Sequence, residues 1–439
     1  MLLSALSRCW RPRALGTGTD RRLRFRPRLE AMEDRLVPAH WIVTSPADNG
    51  AANTLRWAVA HAKSGDTIDI TTGQAIVLTH GELVLAHDLT IDFAGFSNGH
   101  QATISGGFHS RVFDVAPGAH VNLDDLVLID GNGVANNPKG TKGADGKGGA
   151  ILNRGTLALT NCTLSDNGYT VNGPGSRTLT TALGGAIYNE GPFYHFGNLQ
   201  LTKCDLHDNS AAIFGGGIDN VGGSVDVRQC DLKNNKAVRG GGAIANNLYL
   251  NIWDHSQLDH NTAFEGGAIY SQSDAAVVSV SNCQFDRNQA PAEGGCIFND
   301  KGLFSATDCT FTFNTTTTVA AAGGAIYSSG TLLFTRCDFE NNHADGSGGA
   351  VYSSGNEFYE NCTLTNNFAA GYGGGIYCGG LAGVDDSTLT NNSAKAGGGI
   401  YMDSKAILVV GTSTFSGNTP DNLDKTVGMF VDLGGNSGI

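Results

Sequence analysis

Proline is scarce in these 439 residues, ten in all, and charged side chains make up only 16%. Disordered chains carry more charge and fewer apolar groups, so this composition with its 62 glycines describes a folded, turn-rich chain. No apolar stretch approaches the length of a membrane span, which excludes a transmembrane helix. No Cys-x-x-Cys pair or histidine pairing accompanies the ten cysteines, so no metal or cofactor is expected. Positive charge is short as well. Beyond residue 38 the chain has 19 basic and 37 acidic residues, a net charge of −18, and an acidic body is a poor partner for nucleic acid.

What is present is a repeat. Glycine pairs open at Gly148, Gly184, Gly215, Gly241, Gly266, Gly294, Gly323, Gly348, Gly373 and Gly397, each followed by Ala, Gly or Cys and then Ile or Val. A second arm, Cys or Ser, any residue, Leu or Phe, two residues, Asn, ends at Asn167, Asn209, Asn235, Asn261, Asn288, Asn314, Asn342, Asn367, Asn392 and Asn418. Copies late in the chain lie about 24–29 residues apart, the period of one supersecondary unit stacked on the next. The string from Leu159 to Asn167 also fits a leucine-rich repeat. Glycine-rich stretches such as Gly371 to Gly375 follow the Asn, however, and will not hold that family's helical return. Three short strands per copy, as in Ile376 to Cys378, Thr331 to Phe334 and the Cys337 arm, describe one coil of a parallel β-helix.

Parity along the coil assigns faces. Leu157 and Leu159 are out of step with Cys162 and Leu164, so the chain turns a corner near Thr160 and Asn161. The Cys or Ser and the Leu or Phe point inward, and the residue between them points to water. The closing Asn is expected in a left-handed turn, with its amide bonded to the next coil. At ~4.8 Å per coil, ten coils make a rod of roughly 50 Å. Seven cysteines share one inward slot with Ser256, Ser387 and Ser413; that interchange favours free buried thiols over disulfides.

The chain before the repeat differs. Residues 1–38 hold nine Arg, four acidic residues and no Lys, and are expected as a disordered basic leader. Within them Arg26-Pro-Arg-Leu29-Glu30 to Arg35-Leu36 resembles the N-terminal tract of many large exported planctomycete proteins, which implies export. Asn53 is expected to cap a helix whose Leu55, Ala58, Val59 and Ala62 share a face, ended by Gly65. Thr54-Leu-Arg-Trp-Ala-Val59 resembles the segment that opens many bacterial β-helices, where an amphipathic helix covers the exposed first edge. The repeat from Gly148 to Asn418 is similar to the passenger repeats of polymorphic outer-membrane proteins, surface β-helices implicated in adhesion. Those proteins end in a membrane β-barrel of their own; this chain stops about twenty residues past Asn418, so anchoring by that route is not expected.

Candidate chemistry is sparse. Asn251-Ile-Trp253-Asp254-His255-Ser256 resembles a pectate-lyase string, but no arginine-rich companion or calcium-binding carboxylate set accompanies it. Asp254 and His255 are therefore weak catalytic candidates in an ordinary corner. Asp205 and Asp231, one coil apart, are more often plain surface charges than a catalytic pair. Gly143 to Gly149 faintly resembles a calcium β-roll repeat and reads better as an insertion. The residue after the inward Ile or Val should face out. In the last six coils it is Tyr270, Phe298, Tyr327, Tyr352, Tyr377 and Tyr401, either a platform for sugar rings and partner proteins or a ladder that stacks on itself.

The reading is an all-β chain: a single right-handed parallel β-helix, three strands per coil, with an N-terminal amphipathic cap helix. Its divisions are a leader at 1–38, a cap and irregular first coils at 39–147, ten coils at 148–418 and a C-terminal cap at 419–439. The expected role is an exported or cell-surface structural or adhesive rod, with surface glycans or cell-envelope proteins as partners. The alternative is a polysaccharide lyase or glycoside hydrolase whose site lies in the insertions 136–147 and 168–183.

Overall fold

A computed structural model describes residues 38–94, 100–133, 145–173, 176–179, 181–190, 197–425 and 427–439. The leader and parts of both insertions lie outside these residues. From Pro38 to Ile439 the chain winds through three long parallel sheets of fifteen, thirteen and thirteen strands. Within each sheet every strand pairs with its counterpart one coil away, as expected for a right-handed β-helix.

One regular coil shows the order. Ile376–Cys378 lies in the second sheet, Leu381–Asp385 in the first and Thr388–Thr390 in the third. Alternation holds along this coil: Ala382 and Val384 are buried while Leu381 and Asp385 are exposed. Inside, Phe285, Phe311 and Phe339 stack with centroids 4.9 and 4.8 Å apart. The dry core is therefore continuous along the axis.

The two glycines of each arm serve different needs. Gly373 has φ +70°, a region costly for other residues, whereas a Cβ on Gly374 would sit 2.4 Å from the Gly398 carbonyl oxygen. The first glycine makes the turn and the second lets the next coil come close.

The asparagine ladder forms from Asn167 to Asn418. Asn342 Nδ2 donates to Asn367 Oδ1 at 3.0 Å and to the Phe311 carbonyl at 2.8 Å, and its Oδ1 accepts from the Asn314 amide N–H at 3.0 Å. The expected left-handed backbone is one residue earlier, at Asp166, Asn341 and their equivalents, because the buried Asn must aim its amide along the axis. A second inward ladder escaped the sequence reading: Asn153, Asn189, Asn220 and Asn246 bond in series at 2.7–2.8 Å. It continues as Ser271, Asn299, Ser328, Ser353 and Cys378, a change of residue that hides the period.

The cysteine slot has a hydrogen-bonding reason. The amide of Cys230 donates to Ser256 Oγ at 3.1 Å, that of Cys362 to Ser387 Oγ at 3.0 Å, and that of Cys204 to Cys230 Sγ at 3.3 Å. The slot takes a small acceptor for the neighbouring backbone, which thiol and hydroxyl both supply. All nine described cysteines are free and buried, and burial pushes the Cys283 thiol up to about 12.

At the N-terminus the helix spans Leu55–His61, and its cap is Thr54 rather than Asn53, which has φ 66°. Thr54 accepts from the Trp57 amide at 3.3 Å, and Leu55 and Ala58 are buried. Trp57 meets Trp41 of the first strand, His40–Val43, edge to face at 5.1 Å.

Candidate functional site

The outward column of the second sheet runs in register through Tyr188, Asp219, Ala245, Tyr270, Phe298, Tyr327, Tyr352, Tyr377 and Tyr401. Parallel pairing brings all six predicted aromatics together. Their faces are used, however. Phe298 and Tyr327 stack with centroids 5.3 Å apart, Tyr327 and Tyr352 at 5.2 Å, and Tyr352 and Tyr377 at 4.4 Å. Interplanar angles of 4°, 2° and 13° set the ring planes across the rod axis. A side chain repeated at ~4.8 Å naturally stacks on its own copies, so edges and hydroxyls, not faces, are what the ladder offers.

Exposure along the column is set by the residue before each glycine pair: Phe214, Gly240, Glu265, Glu293, Ala322, Ser347 and Tyr372. Phe214 reaches past Ala245 and stacks on Tyr270 at 5.2 Å. A Cβ on Gly240 would lie 2.6 Å from the Tyr270 ring. Tyr270 and Phe298 are therefore buried, contrary to the expected outward exposure. At Ala322 and Ser347 the preceding residue is small, and Tyr327, Tyr352 and Tyr377 are partly exposed. There a groove of about 490 Å³ opens, with Glu293 near one end, Tyr372 near the other and Asp345 along its side. Tyr372 packs on Tyr401 at 4.7 Å.

The wall of the groove is built by stacking. Gly346 N–H donates to Ala321 O at 2.9 Å, Gly371 N–H to Gly346 O at 2.6 Å, and Tyr372 N–H to Ser347 Oγ at 3.1 Å. Burial, and then the nearby Glu293 carboxylate, push the Tyr327 phenol up to about 12, so it stays a neutral hydroxyl donor. Glu293 is raised above the usual carboxylate range by burial and then by Glu265 and Asp300. The groove is thus a trough of mixed lining, with Glu293, Asp345 and Ser347 beside Val319, Ala320, Ala322 and Ala370 and tyrosine edges along it, able to hydrogen-bond a hydroxyl-rich chain.

Asp254 and His255 lie elsewhere, at the corner between the first and third sheets. That corner is not ordinary: it carries one extra residue, since Trp253 pairs with Ser281 while Gln257 pairs with Gln284, and both Asp254 and His255 have positive φ. Stacking supplies an arginine that no local string revealed. Arg228 Nε donates to Asp254 Oδ2 at 3.0 Å and Gln229 Nε2 donates to the same oxygen at 2.9 Å, while the guanidinium lies 4.6 Å from the Trp253 ring centre. The Arg228 bond holds the Asp254 carboxyl below its usual range, as an ionised surface group with Oδ2 engaged by Arg228 and Gln229 and Oδ1 at 3.2 Å from His255 Nδ1. Asp231 is similarly engaged by Lys233 at 2.7 Å, and Asp145 of the glycine-rich insertion by Arg111 at 2.8 Å.

Of the two insertions, residues 134–144, 174–175 and 180 lie outside the described residues; the second carries an antiparallel pair, Tyr169–Gly173 with Ser176–Leu179. The sequence reading missed Glu293, Ser347 and Tyr372 as lining residues. Their signal was the identity of the pre-glycine residue, which becomes a column only once the coils are stacked. Asp219, which the same parity places on the outward stripe, is instead a buried carboxyl, raised by burial to about 7.

No curated protein sequence matches the chain. Among solved structures, the catalytic unit of the thermostable GH87 alpha-1,3-glucanase from Streptomyces thermodiastaticus strain HF3-3 is similar over 87% of this chain, at 13% identity and a TM-score of 0.37. The match spans 65% of that protein's chain, under two thirds of its length. Residues 266–438 match the family model of the right handed beta helix region. By its three stacked parallel sheets and by that match, the chain is a right-handed parallel β-helix repeat protein.

Proposed function

We propose that this chain is an exported or cell-surface rod that contacts extended glycans along the groove over Tyr327, Tyr352 and Tyr377. The observation that carries this reading is a trough whose polar groups repeat at each coil in the direction of the rod. A linear polysaccharide laid along it meets a hydroxyl at every step, so weak contacts add up without a deep pocket. The acidic body disfavours polyanionic chains. The resemblance of the leader to planctomycete export tracts, and of the repeat to surface adhesins, supports the location. Among the described residues no helix is long and apolar enough to cross a membrane.

The test is retention on insoluble neutral and amino-sugar polysaccharides. A Tyr352→Phe, Tyr377→Phe variant keeps the stack but removes two hydroxyls and should lose most of the retention of the parent at equal melting temperature. Equal retention would leave the ladder as packing alone. One observation favours the alternative, a polysaccharide lyase or hydrolase. Asp219, in the same column but 3% exposed and outside the groove lining, is a carboxyl that burial raises to about 7, the range of a general acid. Reducing ends or unsaturated products released by the parent but not by Asp219→Asn would move the chain to that class.

A further inference from the structure

The tyrosine floor would suit many hydroxyl-rich polymers, but Glu293 narrows the choice. It lines the groove, is partly buried, and stands one coil from Glu265, whose pre-glycine position it repeats. Burial is the first cause that lifts its carboxyl above the ordinary range; Glu265 and Asp300 lift it further. Glu265 has the Arg239 guanidinium to offset its charge, and Asp300 accepts from Ser329 Oγ at 2.6 Å. Among the described residues no Lys, Arg or His nitrogen lies within ion-pair distance of the Glu293 carboxylate. Asp345, on the side of the same groove, has His343 Nε2 at 2.9 Å.

A half-buried carboxylate repelled by two others and facing an open groove is held at a cost that a cation in the groove relieves. A neutral sugar hydroxyl bonds to it without removing the repulsion; an ammonium does both. The distance from Glu293 to Tyr372 along the rod is three coils, ~14 Å, so the trough bounds a short stretch of chain and not an endless track.

Resting on the glycan reading above, we propose that the groove selects a glycan segment bearing free amino groups, with Glu293 receiving an ammonium while the hydroxyls of Tyr327, Tyr352 and Tyr377 bond to the flanking sugar oxygens. The ligand class is a linear amino-sugar polymer in its cationic form.

The experiment compares retention on beads of β-1,4-linked polyglucosamine and on cellulose, at moderate salt, for the full chain and three variants. Glu293→Gln removes the groove charge with little change of shape. Asp338→Asn makes the same change of net charge on the exposed face of the third sheet, outside the groove. Ala370→Trp adds bulk at an exposed position on the groove lining and leaves the charge alone. Melting curves confirm that all are folded. The parent should prefer polyglucosamine; Glu293→Gln should lose about tenfold of that retention, Asp338→Asn should match the parent, and Ala370→Trp should lose retention on both polymers. Equal losses in Glu293→Gln and Asp338→Asn, or none in either, would overturn amino selection, and loss in Ala370→Trp would then leave the glycan reading standing. Parent-like retention by Ala370→Trp, or no retention by the parent, would remove both.

Discussion

At the residue scale, the positions legible in the sequence are those where stacking admits one solution. A second glycine is required because the next coil's carbonyl occupies the space of its Cβ, and a closing asparagine because its amide must both donate along the axis and accept from it. Asn342 makes four such contacts in the dry interior, whereas the adjacent Asn341 supplies φ +57° at the turn and one exposed side-chain bond, to Glu340 Oε1 at 3.1 Å. Asn342→Ala should therefore cost about 3 kcal/mol or more by stranding buried groups, and Asn341→Ala only about 1–2 kcal/mol of backbone strain. Urea midpoints of the two variants check this. The sequence reading put the left-handed turn on the ladder asparagine itself; a comparable loss in both variants would favour that assignment over the one described.

At the scale of the element, alternation predicted which residues of each strand face the core, and what it could not convey is the cost of a wrong chemical type in the right parity. Asn356–Glu360 directs Glu357 and Tyr359 inward, between Leu332 and Ala382 and between Phe334 and Val384. Tyr359 Oη donates to Glu357 Oε2 at 2.7 Å, and Glu357 Oε1 has no hydrogen-bond partner. Burial raises the Glu357 carboxyl to about 8, so it is neutral in the folded state at neutral pH. A carboxyl raised on folding stabilises fully below its unfolded pKa, and the contribution fades as pH climbs from about 4.5 through about 8. Asp219, raised to about 7, acts in the same direction. The parent should thus lose several degrees of melting temperature between pH 5 and pH 8.5, and Glu357→Gln should recover a large part of that loss. Parallel curves for the two proteins would mean that Glu357 is already ionised or solvated.

For the whole molecule, the solenoid turns sequence period into surface columns, and the candidate site is made of two of them. The aromatic column was legible because it follows a marked position, the residue after the inward Ile or Val. The pre-glycine column was not, since Phe214, Gly240, Glu265, Glu293, Ala322, Ser347 and Tyr372 share no chemistry and gain meaning only by opening or closing the space above the ladder. That the rings take one another as partners follows from coil spacing, and it turns the expected stacking platform into a row of hydroxyl edges. The central claim is that an extended glycan lies in the trough over Tyr327, Tyr352 and Tyr377. Its most direct test is hydrogen exchange of the full chain with and without soluble glucosamine oligomers. Slowed exchange should be confined to the groove segments at 319–322, 345–347 and 370–372, with the Asp254 corner unchanged. Protection at the corner or along the exposed first sheet, with the groove segments exchanging as in the free protein, would contradict the account.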